Sequence, residues 1–257
     1  MRRPTIVMIH GFRGTHHGLE LIAKHLNNYD LVIPDIPGFA DGDNLPSYDI
    51  DQYVIWLKGL IGNQKTKPIL LGHSFGSIIC AEYARQFPDT INKLILVNPI
   101  GAPALEGPRG VLSKIALMYY QVGEKMPSKL AKKWLSSPIM VQVMSSTMAK
   151  TKDKNLRKYI HKQHHTHFSK FHSPKSVSQG FRASIQNSVL DSAPEIKTPT
   201  LLIVGERDDI TPLSKQQILL HKFNQAKMIT IPNVGHLTHY ETPDLVADAA
   251  IDFITSS

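Results

Sequence analysis

The sequence predicts an α/β protein: a mostly parallel sheet of about six strands, flanked by helices and interrupted by an inserted helical segment. Short apolar runs rich in β-branched residues alternate with stretches of helical spacing along much of the chain. This alternation stops between residues 100 and 196, which is too long for a plain loop in a compact domain. With 257 residues and 42% hydrophobic content, the chain can bury a substantial core.

The predicted strands are continuous apolar runs, which are typical of strands buried on both faces of a parallel sheet. They are Thr5 to Ile9, Leu31 to Pro34, Ile69 to Leu71, Leu94 to Val97, Leu201 to Val204 and Met228 to Ile231. The helices predicted between them are Ile50 to Ile61, Ile78 to Phe87, Pro212 to Leu220 and Pro243 to Ile254.

The domain organisation follows from where the alternation stops. Residues 1–99 and 197–257 are predicted to form the core, and residues 100–196 an inserted helical cap or lid. Pro127-Ser128 and Ser137-Pro138 are predicted helix starts within this insertion, because proline suits the first helical position and serine the cap. Leu130 and Trp134 then share one helix face.

The positive charge of the chain belongs to the insertion. The net charge is +8, and residues 100–196 carry 15 Lys and Arg against 5 Asp and Glu, which leaves −2 for the rest. No zinc-finger spacing and no basic-aromatic repeat accompanies this charge, so we expect no nucleic-acid partner. Anionic substrates, peripheral contact with a membrane surface and a merely solvated face all stay open.

The single cysteine, Cys80, rules out an intrachain disulfide and favours a reducing compartment. The first apolar run breaks at His10-Gly11, which is too short for a signal peptide or a membrane span. These features predict a soluble cytoplasmic protein. They leave open whether it is a monomer or a homodimer.

A serine between two glycines marks the candidate site. Gly72-His73-Ser74-Phe75-Gly76 follows the apolar run that ends at Leu71, and the glycines permit a sharp turn that would expose the Ser74 hydroxyl. The alternative is an ordinary strand-to-helix loop that happens to contain a serine between two glycines. A serine nucleophile also needs a base within hydrogen-bonding reach and an acid that orients the base.

Candidates for both follow later strands, at the carboxyl ends where open α/β sheets bind their ligands. The stretch Gly205 to Pro212 offers Glu206, Asp208 and Asp209 as the acid. The stretch after Ile231 offers His236 as the base, with His239 as its rival. Gly235 gives His236 a flexible loop, whereas His239 is expected to pack against the following helix. The chain order is therefore Ser, Asp, His.

This order, the glycine-bracketed serine and the loop His10-Gly11-Phe12-Arg13-Gly14 resemble the α/β-hydrolase superfamily over nearly the whole chain. The most similar group looks like the cap-bearing carboxylesterases, lactonases, carbon–carbon bond hydrolases, haloperoxidases and epoxide hydrolases. The resemblance implies Ser74 as nucleophile, Asp208 as acid and His236 as base. Asp208 fits the family pattern between Gly205 and Pro212, whereas Glu206 and Asp209 do not. Some relatives carry the acid at the position of Asn98.

The resemblance also implies that the backbone N–H groups of Phe12 and Phe75 hold the oxyanion, with no cofactor and no metal. Serine at the nucleophile position argues against epoxide hydrolases, which have aspartate there. The family's amino-terminal hairpin is missing from this sequence, so we expect the sheet to have about six strands.

The insertion is expected to shape the substrate pocket. It carries five of the eight methionines, and methionine-rich surfaces adapt to varied apolar shapes. Met140, Met144 and Trp134 are therefore predicted to bind an apolar acyl or alkyl group of a small-molecule substrate, with simple helix packing as the alternative. Five histidines also lie in the insertion. They predict an exposed polar helix rather than a metal site, because no cysteine or acidic ligand lies near them; they are His161, His164, His165, His167 and His172.

The sequence thus predicts a serine hydrolase of carboxylic esters, esterase-like or lipase-like, that works through an acyl-enzyme. Carbon–carbon bond hydrolysis and lactone opening would use the same three residues. Acyl transfer to an acceptor other than water is a third possibility. A rival from another class is a slow or non-catalytic small-molecule receptor with this fold.

Overall fold

A six-stranded parallel sheet runs through the computed structural model, which describes residues 3–102 and 110–256, the side chains of 110–112 excepted. The strand order is β2-β1-β3-β4-β5-β6, so the chain reverses its winding direction next to β1. The strands are β1 (Thr5–Ile9), β2 (Asp30–Val32), β3 (Ile69–His73), β4 (Lys93–Val97), β5 (Thr200–Gly205) and β6 (Ala226–Ile231).

The six predicted strands and the parallel sheet are confirmed, with one difference at the edges. Strands β1, β3, β4 and β5 are buried along nearly their whole length, as continuous apolar runs predict. Strand β6 pairs with β5 alone and its residues alternate between exposed and covered. An edge strand has a partner on one side only, so its apolar run does not require burial on both faces.

Helices cover both faces of the sheet. In chain order they are α1 (Glu20–Ala23), α2 (Ile50–Gly62), α3 (Phe75–Gln86), α4 (Gly110–Lys125), α5 (Ser128–Leu135), α6 (Pro138–Met148), α7 (Lys154–His167), α8 (Pro174–Gln186), α9 (Val189–Ser192), α10 (Leu213–Leu220), α11 (Thr238–Glu241) and α12 (Pro243–Thr255). Among the residues that the structure describes, none of these helices is long and apolar enough to cross a bilayer.

The alternation of side chains along each strand divides the core in two. Val7 and Leu70 belong to the core cluster that includes Leu57 of α2 on one face of the sheet. Ile6 and Leu71 belong to the cluster on the opposite face, which includes Val246 of α12. Because successive strand residues point to opposite faces, both layers are anchored by the same strands.

Helix α3 begins three residues earlier than the predicted start at Ile78. Strand β3 ends at His73 and α3 starts at Phe75, so a single residue, Ser74, connects them. The glycine pair permits this abrupt change of direction, and Cys80 is fully buried in the helix that follows.

Helices α4 to α9 lie between β4 and β5, in the predicted insertion, which we continue to call the insertion (residues 100–196). The predicted starts of α5 and α6 are confirmed, with Pro127 and Ser137 as the residues before them. Leu130 and Trp134 share a face of α5, but this face is exposed, and Ala131 and Leu135 supply the buried one.

The prediction of an exposed histidine helix is wrong for His164. This residue of α7 is buried, its Nδ1 shares a hydrogen bond with the Ser145 hydroxyl at 2.7 Å, and its ring stacks on Phe168. Burial lowers the pKa of His164 to about 3, so the ring is neutral at neutral pH. Helix α6 packs across this side of α7, which the sequence spacing of the histidines could not indicate.

Candidate active site

Ser74 occupies a strained turn at the carboxyl end of β3. Its φ of 53° and ψ of −119° lie outside the regions that serine ordinarily adopts. Gly76 makes the turn possible, because a Cβ atom at this position would lie 2.2 Å from the Ile9 carbonyl oxygen. The glycine lets α3 start directly against β1. Ser74 is half-buried and lies where the strands of the sheet have their carboxyl ends.

His236 connects Ser74 to Asp208. Its Nε2 lies 2.8 Å from the Ser74 hydroxyl oxygen, and its Nδ1 lies 2.7 Å from Asp208 Oδ2. The three residues follow β3, β5 and β6, whose carboxyl ends meet at one edge of the sheet. His236 and Asp208 are both buried, so the structure brings the three predicted residues into one hydrogen-bonded chain that is largely shielded from water.

Asp208 is surrounded by hydrogen-bond donors. Its Oδ1 accepts the backbone N–H groups of Ile210 and Thr211 at 2.7 and 3.0 Å, and its Oδ2 accepts the Thr211 hydroxyl. Burial acts to raise the pKa of this carboxyl, but His236 and the bonds from Thr211 outweigh it, and the net effect is a pKa well below the ordinary value. Asp208 is therefore a fixed carboxylate.

The rival residues lie in other surroundings. Asp209 is exposed and pairs with the Lys150 ammonium, while Glu206 accepts the backbone N–H of Asn233 at 2.8 Å. The His239 ring is buried against His73, with ring centroids 4.1 Å apart, and its Nδ1 has no hydrogen-bond partner in the described part of the chain. Burial holds the pKa of His239 well below its ordinary range, as expected for a packed, neutral ring.

Asn98 is a member of the site that the sequence pattern did not reveal. It follows β4, is fully buried, and its side-chain N–H group donates to Asp208 Oδ2 at 3.0 Å and to the Gly235 carbonyl at 2.9 Å. It therefore ties the acid to the loop that carries His236. The available signal was its position at a strand end, where the sequence showed only that no acid was present.

The loop from His10 to Gly14 comes close to the serine. A Cβ atom on Gly11 would lie 3.2 Å from Ser74 Cβ, so only glycine permits this approach without displacing a neighbour. The Gly14 N–H donates to the Gly11 carbonyl at 3.0 Å and closes a turn in which Arg13 has a left-handed φ of 59°. The role of the Phe12 backbone N–H stays a prediction.

Phe75 has the other predicted N–H group. Phe75 is the first residue of α3, so no carbonyl group within the helix lies one turn earlier to accept its N–H. This N–H also lies at the positive end of the helix dipole. Its ring is buried in the core and meets Tyr53 edge to face, at 5.3 Å between centroids. Only the backbone of Phe75 therefore faces the nucleophile turn.

Arg13 joins this loop to the insertion. Its side chain is only 1% exposed, and its guanidinium donates to the Phe168 and Leu135 carbonyls, both at 2.8 Å, and to the Tyr120 hydroxyl at 3.3 Å. A buried cation requires such acceptors, because unmet donors cost free energy. Nothing in the sequence pattern distinguished Arg13 from a surface residue of the loop.

An aromatic group lies over the same loop. The Phe12 ring contacts Phe39 from the core together with Tyr120 of α4 and Phe181 of α8, at centroid distances of 5.5 to 5.7 Å. Tyr120 and Phe181 contact each other at 4.5 Å. The insertion thus builds an apolar wall beside the loop that carries the Phe12 N–H.

The predicted substrate-binding residues lie farther out on the insertion. Trp134 is 42% exposed, and its ring packs on Tyr119. Met140 and Met144 are half-buried on α6. Contact of these three side chains with substrate stays a prediction.

Among the residues that the structure describes, one surface group could hold a metal ion by geometry alone. His16, His17 and Glu20 each offer a ligand atom, and these atoms lie within 4.8 Å of one another. Their existing bonds compete with a metal, since His16 Nδ1 pairs with Asp35 and His17 Nδ1 with Glu20. Asp35 also accepts the His16 backbone N–H at 2.6 Å, which holds it to its own loop.

Comparison with known proteins decides the family. A family model described as the alpha/beta hydrolase fold matches residues 4–243. The chain belongs to the α/β-hydrolase family. The hydrolase is 28% identical over 268 residues to the monoacylglycerol lipase ABHD6 of Homo sapiens, with 99% of this chain and 76% of that protein covered. It is 24% identical over 257 residues to Lipase 1 of Psychrobacter immobilis, with 95% and 74% covered.

Solved structures show the same fold. An esterase from Exiguobacterium antarcticum superposes with a TM-score of 0.81 at 18% identity, covering 99% of this hydrolase and 93% of that chain. A thermophilic esterase from Thermogutta terrifontis gives a TM-score of 0.80 at 19% identity, with 98% and 90% covered. The resemblance stated from the sequence motifs is therefore confirmed for both family and fold.

Proposed function

We propose that the protein is a serine hydrolase of carboxylic esters with an apolar acyl group, and that it works through an acyl-enzyme. The observation that carries this proposal is the hydrogen-bonded chain from Ser74 through His236 to Asp208. A serine hydroxyl is a weak nucleophile at neutral pH, and the His236 imidazole nitrogen 2.8 Å away is the group that can take its proton.

In the first half of the reaction, the Ser74 hydroxyl oxygen attacks the ester carbonyl carbon while its proton moves to His236 Nε2. The carbonyl oxygen becomes an oxyanion, held by the backbone N–H groups of Phe12 and Phe75. Such donors are worth about 3 kcal/mol each when they point at the developing charge. The carboxylate of Asp208 keeps the imidazole oriented and stabilises the imidazolium that forms.

The tetrahedral intermediate then breaks its bond to the alcohol oxygen, which takes the proton from His236 and leaves. A water molecule gives a proton to His236 and attacks the acyl carbon. When the second intermediate collapses, the Ser74 oxygen recovers its proton and the carboxylic acid departs. Every proton that leaves Ser74 or water passes through the same Nε2 atom, so the cycle needs no other base.

The apolar acyl group is supported by the wall of Phe12, Tyr120 and Phe181 beside the oxyanion loop. Aromatic side chains suit the burial of a hydrocarbon chain. Relatives named as a monoacylglycerol lipase and as Lipase 1 support a lipid-like substrate for this protein. Met140 and Met144 are proposed to contact the same acyl group.

The test is intact-mass labelling with a fluorophosphonate, run beside hydrolysis of p-nitrophenyl esters of increasing chain length. We expect one adduct on the wild type and turnover that is higher for butyrate or octanoate than for acetate. Ser74→Ala should lose both the adduct and turnover, because it lacks the attacking oxygen. Ser128→Ala, at an exposed position of α5, should keep both.

An unlabelled wild type without turnover would contradict the proposal and favour a small-molecule receptor with this fold. A labelled wild type that opens lactones or cleaves carbon–carbon bonds but not esters would keep the nucleophile and overturn the substrate class. A strict preference for the acetate ester would contradict the proposal that the substrate carries an apolar acyl chain.

A further inference from the structure

Five large apolar side chains are exposed on the outer side of the insertion. They are Ile115, Met118 and Val122 on α4 and Leu130 and Trp134 on α5, with exposed fractions between 42% and 64%. The spacing within each helix is that of a single face. We call these five side chains the outer face.

The outer face is one surface rather than two separate strips. The Trp134 ring lies 5.2 Å from the Tyr119 ring, its indole N–H donates to the Tyr119 carbonyl, and the Tyr119 hydroxyl donates to the Trp134 carbonyl. These contacts fix α5 beside α4. Ile139 and Val143 of the next helix, α6, are also exposed, at 76% and 54%. Large contiguous apolar patches are rare on surfaces that face only water, so a patch of this kind indicates an interaction surface.

The charge around the outer face indicates what covers it. Between residues 110 and 148 the sequence has five lysines and one acidic residue, Glu124. Three of the lysines, Lys129, Lys132 and Lys133, lie exposed on α5 itself, next to Leu130 and Trp134. Apolar side chains among lysines match a surface that is negatively charged outside and hydrocarbon beneath. Lysine stems can also extend their charge to headgroups while their methylene groups stay in the apolar layer.

We propose that the outer face docks on the surface of an anionic lipid bilayer. Leu130, Met118 and the Trp134 ring enter the interfacial layer, and the lysines of α5 contact the headgroups. This assigns Trp134 to lipid rather than to bound substrate. Tyr120, on the inner side of α4, contacts Phe12, so the bilayer would lie across α4 from the loop beside Ser74. The inference does not rest on the proposed ester hydrolysis.

The experiment uses Trp134 as the reporter. The chain has two tryptophans, so Trp56→Phe leaves Trp134 as the single indole. Titration with phosphatidylglycerol vesicles should shift its emission to the blue, and phosphatidylcholine vesicles should bind far more weakly. Lys132→Gln with Lys133→Gln should weaken binding to the anionic vesicles roughly thirtyfold, as the loss of two lysines near a charged surface implies.

Variants that replace apolar residues of the outer face test, by vesicle co-sedimentation, whether these side chains enter the interfacial layer. Ile115→Gln with Leu130→Gln should weaken binding by about tenfold or more, because it removes apolar side chains from the interface. The matched control is Ile55→Gln with Ile218→Gln, on α2 and α10, where the residues are 60% and 51% exposed. This control should bind as the wild type does.

Several results would overturn the inference: no emission shift with anionic vesicles, equal binding by the Ile115/Leu130 variant and the wild type, or equal affinity for both lipids. A stable dimer in sedimentation that shields Trp134 would assign the outer face to a second copy of the chain instead. Ser74→Ala should bind vesicles normally, so failure of lipid docking and failure of the hydrolase proposal are separate outcomes.

Discussion

Asp208 illustrates how single residues are specified at the candidate site. Two neighbouring aspartates follow β5, and their surroundings differ completely. Asp208 accepts bonds from Thr211, Asn98 and His236 in a buried position, whereas Asp209 lies exposed beside Lys150. A carboxylate with several fixed donors holds its charge and its orientation, which an exposed one cannot do. Asp208 is therefore the residue that can orient the imidazole.

Asp208→Asn tests this difference. The amide preserves size but removes the charge and presents a donor toward His236, so we expect kcat for ester hydrolysis to fall roughly 10²- to 10⁴-fold. KM should change little, because the side chain does not face substrate. Steady-state kinetics on the purified variant would measure both values.

Asp209→Asn is the matched control and should keep nearly the wild-type kcat. If Asp209→Asn lost activity while Asp208→Asn retained it, the assignment of the acid would be reversed.

At the scale of elements, the loop His10 to Gly14 is held by two side chains. His10 Nε2 accepts the backbone N–H of Ile36 at 2.9 Å, and burial lowers the pKa of His10 to about 4, so it acts as a neutral acceptor. Arg13 crosses to the insertion and bonds residues from three of its parts. The loop and the insertion are thereby fixed to each other.

Arg13→Met should destabilise the protein by about 3 kcal/mol, because it leaves the Leu135 and Phe168 carbonyls buried without their donor. Chemical denaturation monitored by circular dichroism would give this difference. Arg157→Met, which replaces an exposed arginine on α7, should cost less than about 1 kcal/mol. If both variants lost the same free energy of unfolding, the buried hydrogen bonds of Arg13 would contribute nothing to stability.

Across the whole molecule, several histidines are buried as neutral rings. Burial lowers the pKa of both His73 and His164 to about 3, from an ordinary value near 6.5. Below about pH 6.5 the unfolded chain takes up these protons and the folded protein does not. The stability that these neutral rings contribute is fully present above about pH 6.5. It is lost as the pH falls toward their pKa values in the folded protein, which are about 3.

We therefore expect the free energy of unfolding to fall between pH 6.5 and pH 4, with each such histidine contributing up to about 1.4 kcal/mol per pH unit. His164→Gln should make this slope shallower, since glutamine can bond Ser145 without titrating. His165→Gln, at an exposed position of the same helix, should leave the slope unchanged. Urea denaturation at several pH values would measure the slopes, and a steeper slope for His164→Gln would contradict this account.

The sequence by itself determined the sheet and the three residues of the hydrogen-bonded chain. Apolar runs predict buried strands because backbone pairing and side-chain burial depend on local composition, and Ser74, Asp208 and His236 each follow such a run. The edge strand β6 was predicted as a strand but not as a half-exposed one, since its neighbours in the sheet are a property of topology.

The tertiary structure alone decided which polar residues are buried and what they bond. Asn98, Arg13 and His164 look like ordinary polar residues in the sequence, yet each is buried and bonds a residue at least 19 positions away. The exposure of Leu130 and Trp134 was equally invisible, because helical spacing shows that two residues share a face but not which way the face points. Burial depends on how helices pack across long separations in the chain, and a local pattern carries no information about that packing.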